Sequence, residues 1–128
     1  MVAELSLVEE WIKMADEDYL WAQASLREEI FKGVCFATQQ SAEKYLKAYI
    51  IAHNLSFEKI HDLKRLVEIC IGKDKDFEEL AEFAEYLTPF YIETRYPGFI
   101  IDITKVDAKK ALDATEQIAS FVKLKLQA

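Results

Sequence analysis

Glycine and proline are nearly missing from this chain, with three and two residues among 128, and that scarcity excludes whole classes of site. A phosphate-cradling loop needs several glycines at fixed spacing, and neither GxGxxG nor GxxxxGK[ST] occurs, so P-loop and Rossmann enzymes are out. Two cysteines without CxxC spacing, each in an apolar neighbourhood, read as buried thiols of a reducing compartment rather than a disulfide. With two histidines and two such cysteines, the chain is short of both histidine and thiol ligands for a zinc centre. No apolar run approaches the roughly 20 residues that span a bilayer, and the acidic start Met1-Val2-Ala3-Glu4 does not resemble a signal peptide. The expectation is a cytoplasmic protein with no membrane contact. Net charge is −7, so any contact with nucleic acid must be focal.

What the chain has in quantity is apolar residues, 52% of the total, at helical spacing. Ser6-Leu7-Val8-Glu9 has capping-box spacing. After it Val8, Ile12, Ala15, Tyr19, Ala22 and Leu26 recur at alternating steps of four and three, which predicts a long helix. Asp18 lies between Trp11 and Trp21 in the neighbouring row and reads as a rim carboxylate that caps or pairs. Gly33 is expected to separate this helix from a second, about 34–53, with Asn54 suited to its C-cap. The plain account of Gln40, Glu43, Lys44 and Lys47 is a solvated helix face, with Glu43 and Lys47 an i,i+4 pair.

A short helix is predicted over about 62–71, stopped by Gly72, and a fourth long one begins near Asp76-Phe77. Pro89 must kink or restart that helix, Thr88 serving as N-cap in the restart version. Phe99–Ile103 reads as an extended segment, and Thr104-Lys105-Val106-Asp107 as the cap of the last helix. The fold class is therefore all-α: an up-and-down bundle of four long helices plus a short one, with one short extended segment before the last helix, in a single domain over 1–128.

Chemistry concentrates in two places. Glu93-Thr94-Arg95-Tyr96-Pro97-Gly98 joins a cation, an aromatic ring and a tight turn, and Arg95 is one of three arginines against thirteen lysines. A guanidinium is a planar fork suited to phosphate or carboxylate. The other place is His61-Asp62, whose plain role is a cap pair at the mouth of the short helix. Glu58-Lys59-Ile60-His61 spells Glu-x-x-His, but a di-iron bundle needs two copies, so neither metal nor cofactor is expected.

Ala15-Asp16-Glu17-Asp18-Tyr19, the run Gln39-Gln40-Ser41-Ala42-Glu43-Lys44-Tyr45-Leu46-Lys47-Ala48, His61-Asp62-Leu63 and Arg95-Tyr96-Pro97 together resemble a HEPN domain, the family named for higher eukaryotes and prokaryotes nucleotide-binding. The resemblance covers almost the whole chain. It implies a compact helical bundle that dimerises and is partnered by a minimal nucleotidyltransferase in toxin–antitoxin systems, the HEPN member often being an RNA-cutting toxin.

It also implies an Arg-x(4–6)-His motif for metal-independent cleavage, and here the chain departs: the offsets after Arg95 hold Ile100, Ile101 and Asp102. An arginine without its proton-transfer partner suits binding better than cleavage, so no catalytic residue is assigned. Nucleotide or RNA binding is expected at Arg95 and Tyr96, with Lys44, Lys47, His61 and Asp62 contributing. Two alternatives stay open. One is a ribonuclease in which the fold brings His61 near Arg95; the other is a purely structural homodimer or docking bundle, supported by Trp11 and Trp21.

Overall fold

In the computed structural model, residues 2–93 and 102–127 are described, with side chains from Leu7 to Tyr91 and from Asp102 onward. The helices are α1 Val2–Arg27, α2 Phe31–Ala52, α3 Leu63–Ile71, α4 Ala81–Leu87, α5 Phe90–Glu93 and α6 Lys105–Gln127, with a 3-10 turn Lys75–Leu80 leading into α4. The described residues contain no strand. None of their helices is long and apolar enough to cross a membrane.

The helix α2 is the axis on which α1, α3, α5 and α6 pack, because apolar or small residues surround it on nearly every side. Small side chains set the close approaches. Ala15, Ala22, Ala42, Ala108 and Ala111 are fully buried. Ser41 donates its hydroxyl to the Ala15 carbonyl at 2.8 Å, and Thr115 donates to the Thr38 carbonyl at 3.2 Å. These bonds satisfy hydroxyls that would otherwise be stranded where the helix backbones meet. The larger apolar cluster joins Leu46, Tyr49 and Ile50 of α2 to Leu66 of α3, Phe77 and Leu80 of the 3-10 turn, Leu87 of α4 and Ile118 of α6.

The boundaries differ instructively from the sequence expectation. The first helix begins at Val2, upstream of the Ser6 capping box. The break between α1 and α2 is not at Gly33 but at Glu29, whose φ of 59° places it in the left-handed region. There the amides of Glu29 and Ile30 return to the carbonyls of Leu26 and Ser25, a Schellman closure. Gly33 lies inside α2, where a Cβ would come within 3.1 Å of Ile30 Cγ2 and 3.3 Å of Ser25 Oγ, so its role is to permit that approach. Asn54, at φ 53°, closes α2 by the same motif, as its residue type suggests.

The fourth helix of the bundle is segmented. Asp74 caps a 3-10 turn through the Asp76 amide, and Pro89 divides α4 from α5. Thr88 does not cap α5; its hydroxyl returns to the Ala84 carbonyl at 2.7 Å and closes α4 instead. Asp102 to Thr104 is irregular chain, and Ile103 lies against the main core. The rest of the expected extended segment, 99–101, lies outside the described residues. Thr104 and Asp107 then cap α6 reciprocally, the Thr104 amide on Asp107 Oδ2 at 2.9 Å and the Asp107 amide on Thr104 Oγ1 at 3.3 Å.

Candidate functional site: a buried carboxylate behind a half-exposed imidazole

Glu43 and Lys47 are one helical turn apart on α2, as an i,i+4 pair should be, but they do not lie on a solvated face. Their side chains are only 6% and 7% exposed. What covers them comes from elsewhere in the chain: Trp11 of α1 and Phe57 of the 53–62 connector, whose ring centroids are 5.8 Å apart. The Lys47 ammonium lies 6.0 Å from the Trp11 ring centre and 5.6 Å from that of Phe57, close enough for the ring faces to attract it. Its ionic partner is Glu43 Oε2 at 3.1 Å.

The other oxygen of Glu43 faces His61. Nδ1 of the imidazole is 2.7 Å from Glu43 Oε1, so each carboxylate oxygen has its own partner. This is how a buried carboxylate must be arranged, since desolvating an unpaired charge is costly. Two further contacts hold the histidine. Gln39 donates Nε2 to the His61 carbonyl at 3.0 Å, and Gln40 donates to Gln39 Oε1 at 2.7 Å, which gives the paired glutamines a structural purpose. The imidazole lies on the Tyr91 ring with centroids 3.8 Å apart and planes 14° from parallel. Its side chain is nevertheless 43% exposed, and among the described residues Nε2 makes no hydrogen bond.

Asp62 follows His61 and acts as the N-cap of α3, accepting the amides of Lys64 and Arg65. That is the structural half of the expected His61-Asp62 pair. Lys44 is ion-paired to Asp18, the rim pairing read for that carboxylate. Lys44 and Lys47 are thus both occupied by acids of the same bundle. Arg95, Tyr96 and the turn expected at Pro97-Gly98 lie outside the described residues. His61 is anchored to Tyr91 of α5, a link that no local spacing reveals.

The remaining reactive groups are silenced by burial. The Cys70 thiol is pushed up to about 12 by desolvation, and Cys35 is fully buried, so neither is a nucleophile in waiting. Tyr45 is raised far above the ordinary phenol range, first by burial and then by the bond its hydroxyl makes to Asp16. Those two residues help line a groove of about 440 Å³ between α1 and α6, away from His61.

The family model described as HEPN domain matches residues 8–125. Among solved structures, TT1696 from Thermus thermophilus is 32% identical, with 92% of this chain and 97% of that one covered and a TM-score of 0.84. ST0689, an archaeal HEPN homologue, is 24% identical over 93% of this chain and 97% of its own, with a TM-score of 0.75, and shares the fold. A search of curated proteins finds no match.

Proposed function

Because the chain belongs to the HEPN family, we propose that it is a nucleotide- or RNA-binding module of the cytoplasm, partnered by a minimal nucleotidyltransferase in a toxin–antitoxin pair and lacking the family's usual ribonuclease centre. The observation that carries the reading is the exposed edge of His61, held rigidly by Glu43, Gln39 and Tyr91. A binding group is effective when its own supports are ordered before the ligand arrives. Arg95 is the phosphate ligand in this reading, with Tyr96 stacking beside it. Lys44 and Lys47 act as backing charges, and Asp62 orients the connector.

Calorimetric titration with ribonucleotides and short RNA tests it. Wild-type protein is expected to release heat, Arg95→Ala to weaken binding by about tenfold or more, as expected for a lost charge-assisted contact, and His61→Ala to weaken it less. No heat from the wild type with any nucleotide removes the proposal. The acid–base geometry of His61 and Glu43 favours one second reading, metal-independent RNA cleavage. Incubating the same samples with RNA in EDTA decides it, since cleavage abolished by His61→Ala would replace the binding reading.

Partner docking has its own candidate surface. Leu7, Met14 and Trp21 stand seven residues apart on the outward side of α1, all exposed, Trp21 to 69%. Exposed aromatics of this kind mark interfaces. A homodimer through this stripe is expected to be dispersed to monomer by Trp21→Glu in sedimentation velocity. A wild type already monomeric at tens of micromolar would leave the stripe to the nucleotidyltransferase.

A further inference from the structure

Between α6 and the arm formed by the 3-10 turn and α4 runs a groove that no described residue fills. It consists of two hollows, of about 470 and 190 Å³, which meet at Phe83. Leu80, Phe121 and Leu124 line the larger, and Leu124 is 67% exposed. On the α6 side Ala114, Gln117, Phe121 and Leu124 recur at steps of three and four. The floor therefore follows one face of that helix for about 15 Å, at a rise of about 1.5 Å per residue. The rim carries charge of one sign. Glu79, Glu82 and Asp113 stand on it, all exposed. None of the three has an ion pair among the described residues, whereas Asp16, Asp18, Glu58 and Asp74 each do. Lys110, the lining cation among the described residues, lies 4.4 Å from the centre of the Tyr86 ring.

This chemistry narrows the occupant. Nucleic acid or an anionic lipid surface would bring phosphate against glutamate. A second copy in two-fold pairing would set the same acidic rim against itself. An extended peptide would lay unbonded amides on an apolar floor. Both walls are helices whose backbone groups bond internally, and the described residues offer no strand edge. A helix brings its own backbone bonds and can lay an apolar stripe in such a groove. We propose that the groove docks an amphipathic helix of a protein partner, apolar side chains against Phe83, Phe121 and Leu124, and lysine or arginine towards Glu79, Glu82 and Asp113. It shares no residue with the His61 cluster or with the exposed stripe of α1, so it stands independently of the nucleotide-binding reading.

The probe is a fluorescein-labelled synthetic helix of about fourteen residues, long enough to span the floor, with leucine on one face and lysine on the other. Its controls are the same peptide with glutamate in place of lysine, and an isomer shuffled so that no apolar face forms. Fluorescence anisotropy with the full chain is expected to show the lysine helix bound at least about tenfold more tightly than either control. Leu124→Ser and the double variant Glu79→Lys/Glu82→Lys change exposed side chains, and circular dichroism checks that both are folded. Each is expected to weaken binding by about five- to tenfold, the first through lost apolar burial and the second through reversed charge. Trp21→Ser, on the outward side of α1, is expected to leave binding unchanged.

Equal binding of the lysine helix and its shuffled isomer would reveal attraction to the net charge of −7 rather than to the groove, and overturns the proposal. Equal binding by the wild type and the two groove variants overturns it too, as does no binding of the lysine helix at all. Sedimentation velocity covers the remaining occupant: a wild-type dimer dispersed by Leu124→Ser would give the groove to a second copy instead.

Discussion

Glu43→Leu is expected to destabilise the fold by about 3–5 kcal/mol, a fall of roughly 10–20 °C in Tm for a chain of this size. The leucine itself is not the problem, since its volume suits the site. The loss comes from Lys47, whose side chain is 7% exposed and whose ammonium loses its ionic partner. Ring faces of Trp11 and Phe57 at 6.0 and 5.6 Å return only part of that, about 0.5–2 kcal/mol by the usual strength of such contacts. Adding Lys47→Met on the same background is expected to recover most of the stability, because a buried ion pair replaced whole by apolar residues is close to neutral. Urea denaturation of the two single variants and the double variant measures the coupling directly. A single variant within about 1 kcal/mol of wild type would mean that the ammonium escapes to water along the indole.

That experiment separates the two tasks of one carboxylate. Towards Lys47 it compensates a charge, which is a matter of stability. Towards His61 it orients the imidazole, which bears on binding, and His61 is exposed enough that its own removal should disturb the fold little. Stability recovered by Lys47→Met without recovery of nucleotide affinity would show both tasks in one pair of measurements.

What could be read from the sequence follows a physical line. Helices α1, α2 and α6 declare themselves because their buried faces repeat within one continuous element. The caps at Asp62 and between Thr104 and Asp107, and the left-handed Asn54, are legible because each rests on residues within five positions of one another. The burial of Glu43 and Lys47 is not legible. An i,i+4 acid–base pair looks the same in sequence whether it faces water or not, and what decides is Trp11, Phe57 and His61 arriving from two other segments. The stack of His61 on Tyr91 hides for the same reason, joining residues thirty positions apart. The fourth helix is legible in part. Its break at Pro89 follows from the proline ring, as the sequence predicts, but the 3-10 form of Lys75–Leu80 and the return of the Thr88 hydroxyl to Ala84 leave no mark in the apolar spacing.

Those pieces make Phe77 the second position with a large expected effect. Four- and seven-residue helices and a 3-10 turn have no stability of their own, since nucleation is barely repaid over so short a run. The segment must be held by packing, and Phe77 supplies it: fully buried, 4.4 Å from the Tyr49 ring and edge-on to Phe121 at 5.0 Å. The bridge from Lys125 to Asp74 and Asp76 beside it lies at the surface, partly open to solvent, and is a weak tether. Phe77→Ala is expected to lose about 3–5 kcal/mol, and Phe77→Leu roughly 1–2, as cavity size dictates. Hydrogen exchange should show the loss concentrated over residues 75–93 rather than spread evenly, because α1, α2 and α6 keep their mutual packing. Tyr91 belongs to that segment, so loosening it should also free the His61 ring and blunt ligand binding. Uniform loss of protection across all helices would show instead that the segment and the three long helices unfold as one unit, and that Phe77 holds the whole core rather than the arm.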